Sequence, residues 1–201
     1  MSDREPSPRR ATVERKTTET EIKVDLTIDG TGRSVISTGM GFLDHMLTLF
    51  AKHGFFDLEI SAQADLRVDA HHAVEDVGIC LGQAFGKALG EKRGIARYGH
   101  AFVPMDETLV RTVVDLSGRA YLVYKVEFRS QRLGDFETEL VEEHLRGFTN
   151  HIFANVHTEL LYGKNGHHIA EATFKSLARA LAQACAYDPR VKGILTTKGL
   201  L

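Results

Sequence analysis

The sequence predicts an α+β fold built from one β-β-α-β-α unit that occurs twice, giving two sheets with helices packed on one face. The first observation is an internal repeat: the run His71-His72-Ala73-Val74-Glu75 recurs as His167-His168-Ile169-Ala170-Glu171, 96 residues later (167 minus 71). The second is that segments of period two and segments of helical period follow one another in the same order in both halves. These observations indicate one duplicated domain.

The composition supports a globular chain with a large core. The chain has 201 residues, 43% of them hydrophobic and 26% charged, with a formal net charge of −2. Without a basic excess or an apolar run near the ~20 residues of a membrane span, we expect neither a nucleic-acid nor a membrane partner. Cys80 and Cys185 lie in helical apolar patterns and are predicted core residues. Residues 1–10 are polar, so we expect a disordered arm on a cytoplasmic protein.

In the first half, apolar residues alternate with polar ones from Ile22 to Ile28, which predicts a strand with one buried face. After the turn at 29–32 a second strand follows, and apolar residues then recur at helical spacing up to Gly54, a plausible helix stop. The predicted order is strand 22–28, strand 33–38, helix 43–54, strand 56–62 and helix 72–90.

The second half repeats this order. Gly118-Arg119 parallels Gly32-Arg33, each pair lying between two predicted strands. The predicted elements are strands 107–116 and 120–128, helix 138–153, strand 156–162 and helix 169–186. We therefore expect a single catalytic domain over 11–201, made of repeats at about 11–92 and 93–190 and a C-terminal tail.

The repeated His-His-x-x-Glu unit predicts a metal site. His71 and Glu75 are four residues apart, so their side chains share one helix face, whereas the neighbouring His72 points roughly 100° away. Each unit can thus serve two metals, each taking one histidine. Nitrogen and carboxylate donors without thiolate suit Mn²⁺, Fe²⁺ or Zn²⁺. Further donors are expected from His45 in the first half and from Glu143 or His144 in the second.

Several ordered motifs extend this pattern over nearly the whole chain, and on them the sequence resembles the imidazoleglycerol-phosphate dehydratases of histidine biosynthesis. The resemblance implies a duplicated fold, two Mn²⁺ ions per active site, sites between subunits and a shell of twenty-four subunits. The motifs are Glu19-Thr20-Glu21, Gly41-Phe42-Leu43-Asp44-His45-Met46-Leu47, Asp69-Ala70-His71-His72-Ala73-Val74-Glu75-Asp76, Arg93-Gly94-Ile95-Ala96-Arg97-Tyr98-Gly99, Pro104-Met105-Asp106-Glu107, Asp115-Leu116-Ser117-Gly118-Arg119, His167-His168-Ile169-Ala170-Glu171-Ala172 and Thr197-Lys198-Gly199.

The resemblance also implies roles for individual residues. The family commonly has a histidine at the place of Glu143, so either Glu143 or the neighbouring His144 completes the ligand set. The implied metal ligands are His45, His71, His72, Glu75, Glu143 or His144, His167, His168 and Glu171. The implied substrate contacts are Glu19, Arg97, Arg119, Lys175, Thr196, Thr197 and Lys198, and the implied catalytic residues are Glu19, Glu171 and His45.

The function that follows is a hydro-lyase reaction: metal-dependent dehydration of D-erythro-imidazoleglycerol phosphate to imidazole-acetol phosphate and water. The proton carrier is Glu19 or Glu171. The same donors leave two alternatives open. A dinuclear metallohydrolase would release phosphate from simple esters, and a metal-storage shell would hold many metals per subunit.

Overall fold

The computed structural model describes residues 8–66 and 69–198, so most of the predicted N-terminal arm lies outside the described residues. Its last residues are structured, because Arg9 forms an ion pair with Asp29 and the first strand begins at Arg10. The first copy consists of β1 (Arg10–Lys16), β2 (Thr20–Thr27), β3 (Ser34–Ser37), α1 (Gly41–Gly54), β4 (Asp57–Ala64) and α2 (His71–Leu89). The second consists of β5 (Tyr98–Met105), β6 (Thr108–Asp115), β7 (Tyr121–Lys125), β8 (Arg132–Leu133), β9 (Phe136–Glu137), α3 (Leu140–Ile152), β10 (Asn155–Tyr162) and α4 (Gly166–Cys185).

The strand order confirms the predicted α+β duplication. The two four-stranded sheets have the orders β1-β2-β4-β3 and β5-β6-β10-β7. In both, the last pair is parallel and the others are antiparallel. The predicted β-β-α-β-α order is present in each copy, preceded by one further strand, β1 or β5, and the second copy also has the small β8–β9 hairpin. Gly32 and Gly118 occupy matching turns with φ of 82° and 76°, a left-handed conformation that glycine adopts without steric cost.

Each sheet buries one face against helices. In β2 the alternating side chains Ile22, Val24 and Leu26 are buried, as period-two patterning predicts, while Glu21 and Lys23 are exposed. Helices α1 and α2 cover the first sheet, and α3 and α4 cover the second. Across the copies, α1 packs against α4 and α2 packs against α3, so the core lies among the four helices and the inner faces of both sheets. Cys80 and Cys185 are free and buried within it, as predicted.

Helices α2 and α3 approach so closely that glycine is required where they cross. A Cβ atom at Gly78 would overlap the carbonyl oxygen of His144, and one at Gly82 would overlap that of Phe148. From the other side, a Cβ at Gly147 would lie 2.7 Å from the carbonyl oxygen of Glu75. The backbones are therefore in direct contact, and this contact fixes α2, with its first-turn histidines, relative to the second copy.

None of the helices in the described residues combines the length and the apolar character needed to cross a membrane.

Candidate metal centre

The first turn of α4 presents two histidines because the helix start is capped. The side chain of Asn165 accepts a hydrogen bond from the backbone N–H of His167 at 3.0 Å, and a longer one from His168. Glu171 lies one turn further along, and its Oε1 is 2.9 Å from Nε2 of His167. The four-residue spacing therefore places this imidazole and this carboxylate together on one helix face.

A third donor reaches this pair from α1. Nε2 of His45 lies 3.0 Å from the same Oε1 of Glu171, because α1 packs against α4. Asp44 fixes the start of α1, since its Oδ1 accepts hydrogen bonds from the backbone N–H and the hydroxyl of Thr38. One donor atom from each of His45, His167 and Glu171 lies within 4.8 Å of the others. Two imidazoles and one carboxylate at this separation are a donor set that fits a divalent metal ion.

The electrostatics of the cluster keep Glu171 ionised. Burial raises the pKa of Glu171, but hydrogen bonds from Lys175, His45 and His167 outweigh that effect and lower it to about 2. Nζ of Lys175 contacts Oε2, so the two carboxylate oxygens have different partners. A charged carboxylate with a lysine on one oxygen and two imidazoles on the other is suited to bind a cation on its imidazole side.

The adjacent His168 points away from this cluster. Its Nδ1 donates to Oε2 of Glu107 at 2.7 Å, and its Nε2 lies 3.7 Å from a carboxylate oxygen of Asp106. The hydrogen bond to Glu107 raises the pKa of His168, and in return holds the pKa of Glu107 well below its usual range. The side chains of the neighbouring His167 and His168 therefore point in different directions and have different partners, as their adjacent positions on a helix predict.

The donors of the first copy lie on the first turn of α2. His71, His72 and Glu75 are half-buried, and the backbone N–H of His71 donates to Asp69. Nε2 of His72 is buried and has no hydrogen-bond partner within the part of the chain that the structure describes. Within residues 8–66 and 69–198, no group of three donors other than His45, His167 and Glu171 lies as close together. Within the described part of one chain, His45 of the first copy thus joins His167 and Glu171 of the second, whereas His71, His72 and Glu75 are not part of this cluster.

The two candidates in α3 lie in contrasting environments. His144 is buried, its Nδ1 is 3.2 Å from the carbonyl oxygen of Val74, and its ring packs against Phe174. Burial lowers the pKa of His144 to about 4, so it is neutral at pH 7. Glu143 is partly exposed and forms an ion pair with Arg146. Neither joins the cluster of His45, His167 and Glu171.

Among the expected substrate contacts, Arg97 is already engaged. Its Nε and Nη2 donate to both carboxylate oxygens of Asp115, and its Nη1 donates to the carbonyl oxygen of Leu195 at 2.6 Å. The chain after α4 thus returns to the start of the second copy, where Ile194 also pairs with Arg93. Arg97 therefore holds the segment that carries the next three residues, Thr196, Thr197 and Lys198.

The remaining expected contacts are mostly exposed. Glu19 lies in the turn between β1 and β2, and Arg119 precedes β7; both side chains are exposed, as are those of Thr197 and Lys198. The hydroxyl of Thr196 accepts a hydrogen bond from the backbone N–H of Lys198 at 3.1 Å. Lys175 differs from these residues because it contacts Glu171 within the cluster.

A cavity of about 930 Å³ opens beside the cluster. It is lined by His45 and His167 and by residues around the α1 start and the β8–β9 hairpin, including Phe42, Leu133 and Phe136. Its size and mixed lining are typical of a small-molecule site. Two residues near the histidines were not predicted from the sequence to have a site role: Phe42, whose ring is nearly perpendicular to that of His167, and Glu107, which contacts His168.

The chain is similar to curated proteins over almost its full length. A family model for imidazoleglycerol-phosphate dehydratase matches residues 38–181. The imidazoleglycerol-phosphate dehydratase of Syntrophobacter fumaroxidans is 58% identical over 193 residues, covering 96% of this chain and 98% of that protein. That of Acetivibrio thermocellus is 56% identical over 193 residues, with coverages of 96% and 99%.

Two solved structures share the fold. Imidazoleglycerol-phosphate dehydratase from Staphylococcus aureus N315 superposes with a TM-score of 0.81 at 40% identity, covering 89% of this chain and 99% of that one. The enzyme from Pyrococcus furiosus, solved in complex with (S)-C348, gives a TM-score of 0.82 at 39% identity, with coverages of 94% and 100%. The sequence motifs, the duplicated fold and these similarities agree, and the chain belongs to the imidazoleglycerol-phosphate dehydratase family.

Proposed function

We propose that this protein dehydrates D-erythro-imidazoleglycerol phosphate to imidazole-acetol phosphate and water in cytoplasmic L-histidine biosynthesis, using two Mn²⁺ ions per active site. One C–H bond and one C–O bond of the substrate break, and the proton and hydroxide leave as water. The resulting enol becomes the ketone when its hydroxyl proton is lost and a proton is added to the carbon that carried the leaving hydroxyl. The observation that carries the proposal is the cluster of His45, His167 and Glu171 beside a cavity, in a chain of this family.

The chemical problem explains why a metal is needed. The proton that is lost is not next to a carbonyl group, and hydroxide is a poor leaving group. A metal ion bound to the imidazole ring would act as a Lewis acid that draws electron density from the ring and orients it. The chain supplies the donors for such ions: the cluster of α4 and α1, together with His71, His72, Glu75, His168 and either Glu143 or His144.

The proton transfers are assigned to carboxylates, and the environments of two candidates differ. Glu171 is held ionised by Lys175 and two histidines and is positioned as a ligand. Glu19 is exposed in a turn and, among the described residues, its carboxylate has no hydrogen-bond partner, so it is accessible to a substrate. We therefore assign Glu19 as the proton carrier, with Glu171 as the alternative.

The phosphate is assigned to cations outside the cluster. Arg119 and Lys198 are exposed, and the hydroxyls of Thr196 and Thr197 lie beside Lys198 in the C-terminal tail. Fixed cations and hydroxyls of this kind form charge-assisted hydrogen bonds with a dianionic phosphate. Arg97 contributes by holding the tail in place through Leu195, and two of its five N–H groups remain for the substrate.

We further propose that the complete site forms between subunits of a twenty-four-subunit shell. The support is the separation of the donors within one chain. Among the described residues, His45, His167 and Glu171 form a cluster, whereas the buried Nε2 of His72, at the start of α2, has no hydrogen-bond partner. Buried polar atoms are nearly always satisfied. A neighbouring subunit that brings its own donors to α2 would satisfy this atom and complete two metal sites.

Metal removal and matched variants test the function. Chelation should abolish dehydration and Mn²⁺ should restore it, because in the proposed mechanism the metal is the group that withdraws electrons from the ring. Full turnover by a preparation shown to be metal-free would overturn the proposal.

Two glutamate variants should separate a ligand from a proton carrier. Glu75→Gln should lower Mn²⁺ affinity and turnover together, because an amide is a weaker donor than a carboxylate. Glu19→Gln should retain both metals while turnover falls by at least about a hundredfold, the usual contribution of a general acid or base. Metal content per chain and the dehydration rate are the two measurements. A Glu19→Gln variant that loses its metals would transfer the proton role to Glu171.

A further inference from the structure

The carboxylate of Glu107 connects three elements at the start of α4. Its Oε2 accepts the hydrogen bond from Nδ1 of His168 at 2.7 Å. Its Oε1 accepts from the backbone N–H groups of Lys164, at 3.0 Å, and Asn165, at 2.7 Å, and from the hydroxyl of Thr108. The turn between β5 and β6 thereby holds both the segment that leads into α4 and one of the two histidines of its first turn.

This contact determines which nitrogen of His168 carries the proton. An ionised carboxylate only accepts hydrogen bonds, so Nδ1 must be the protonated nitrogen. In the neutral ring, Nε2 then carries the lone pair. A carboxylate oxygen of Asp106 lies 3.7 Å from Nε2, which is too far for a hydrogen bond. Nε2 is therefore left available as an electron-pair donor.

The internal repeat allows Glu107 to be compared with the equivalent glutamate of the first copy, Glu19. Glu19 directly precedes β2 in the first copy, and Glu107 directly precedes β6 at the equivalent place in the second. The first-copy carboxylate is exposed and, among the described residues, has no hydrogen-bond partner, whereas the second-copy carboxylate has four hydrogen bonds. The same position in the repeat thus holds a free carboxylate in one copy and a fully engaged one in the other.

We propose that Glu107 is a positioning residue that orients His168 and fixes the tautomer whose Nε2 can bind a metal ion. The inference rests on the proposed function in one respect, the assignment of His168 as a ligand. Carboxylates that hold the second nitrogen of a metal-binding histidine commonly change metal affinity by 10- to 100-fold when they are removed.

The substitution Glu107→Gln tests the tautomer directly. Glutamine has the same shape, and its carbonyl oxygen can still accept from Lys164 and Asn165. Its NH₂ group would face His168 and donate to Nδ1, which moves the ring proton to Nε2. In ¹⁵N-histidine spectra of the metal-free protein, we expect His168 protonated on Nδ1 in the wild type and on Nε2 in the variant. A wild-type His168 protonated on Nε2 would overturn the proposal without any variant.

Manganese affinity provides the second measurement. Glu107→Gln should weaken Mn²⁺ binding by 10- to 100-fold, and excess Mn²⁺ should recover most of the turnover, because the reacting groups are unchanged. Glu159→Gln is the matched control: Glu159 is a carboxylate in an ion pair with Arg111 on the second sheet, and its loss should change neither the tautomer nor the affinity.

A double-variant cycle separates action through His168 from a general effect on the loop. In a His168→Ala background, Glu107→Gln should cause no further loss of Mn²⁺ affinity. Additive losses would show that Glu107 acts only through the 164–165 segment, which contradicts the proposal. If the wild type bound no Mn²⁺, the proposed function would fail while the tautomer remained measurable. If it bound Mn²⁺ and Glu107→Gln matched it in both measurements, only the present inference would fail.

Discussion

The two carboxylate oxygens of Glu171 have different partners. One oxygen faces Lys175 and the other faces His45 and His167. Because these partners lower its pKa to about 2, Glu171 is ionised throughout the neutral range and is a weak base there. This environment suits a metal ligand. It is the physical reason for assigning the role of proton carrier to Glu19.

His144 should make the stability of the metal-free protein depend on pH. Its pKa is about 4 in the folded state, against about 6.5 unfolded. Above pH 6.5 the His144 side chain is neutral in both the folded and the unfolded state. Below pH 6.5 it binds a proton in the unfolded state, whereas in the folded state it stays neutral down to about pH 4. Stability is therefore lost as the pH falls from 6.5 to 4, by about 2 kcal/mol at pH 5.

The substitution His144→Phe should remove that part of the pH dependence, because phenylalanine cannot bind the proton. The measurement is the free energy of unfolding in denaturant at pH 7.5 and pH 5, at one protein concentration. His157→Gln, at an exposed histidine on β10, should keep the full wild-type difference. Equal pH dependence in His144→Phe and wild type would contradict the assignment.

For individual residues, the sequence predicts contacts within one helix but not contacts between different elements. The proximity of His167 and Glu171 follows from a spacing of four residues. The contact between His168 and Glu107 joins positions far apart in the chain, on a helix and a strand turn. No periodicity encodes such a contact, although the shared place of Glu19 and Glu107 in the repeat was a usable signal.

At the scale of elements, the sequence pattern predicted neither the short β8–β9 hairpin nor β1 and β5, which are edge strands of the two four-stranded sheets. β1 has the sequence RATVERK and β5 has YGHAFVPM, and each pairs with only one neighbour in its sheet. An edge strand tolerates charge and proline, since one side of its backbone needs no partner. Pro104 and the charges of β1 therefore obscure the alternation, whereas the inner strands β2 and β6 show it clearly.

The crossing of α2 and α3 gives a prediction with an internal control. Gly82→Ala should lower the free energy of unfolding by about 1–3 kcal/mol, because the added methyl group forces the two backbones apart. Gly86→Ala, one turn along α2, meets its nearest atom at an ordinary 3.5 Å and should be neutral or stabilising by up to about 1 kcal/mol.

Urea unfolding of the two variants at equal protein concentration is the measurement. If both glycines tolerated alanine equally, the close approach of α2 and α3 would not be what fixes the crossing.

At the scale of the molecule, the duplication could be predicted because the two His-His-x-x-Glu units keep one spacing and one position in the element order. The pairing of helices across the two copies could not be predicted from the sequence, since it depends on which helix faces meet after both sheets have formed. That pairing is what brings His45 of the first copy to Glu171 of the second.

Metal and assembly should be linked if the site is shared between subunits. Removing Mn²⁺ would then remove binding free energy from the contacts between chains, so the large particle should dissociate into smaller oligomers. Sedimentation velocity of metal-free and Mn²⁺-loaded protein is the measurement. A particle of unchanged size after verified metal removal would show that protein contacts alone hold the assembly.

The helix pairing follows a two-fold pattern inside a single chain. Because α1 corresponds to α3 and α2 to α4 in the element order, the contacts α1–α4 and α2–α3 join equivalent pairs of helices, although α2 and α3 share the larger contact. In an isologous dimer, equivalent surfaces likewise meet in pairs. Here the two partners are one polypeptide, so their encounter is a loop closure with a millimolar effective concentration rather than an event between molecules. Dilution therefore cannot separate the two halves, and surfaces that face outward remain available for association with other copies.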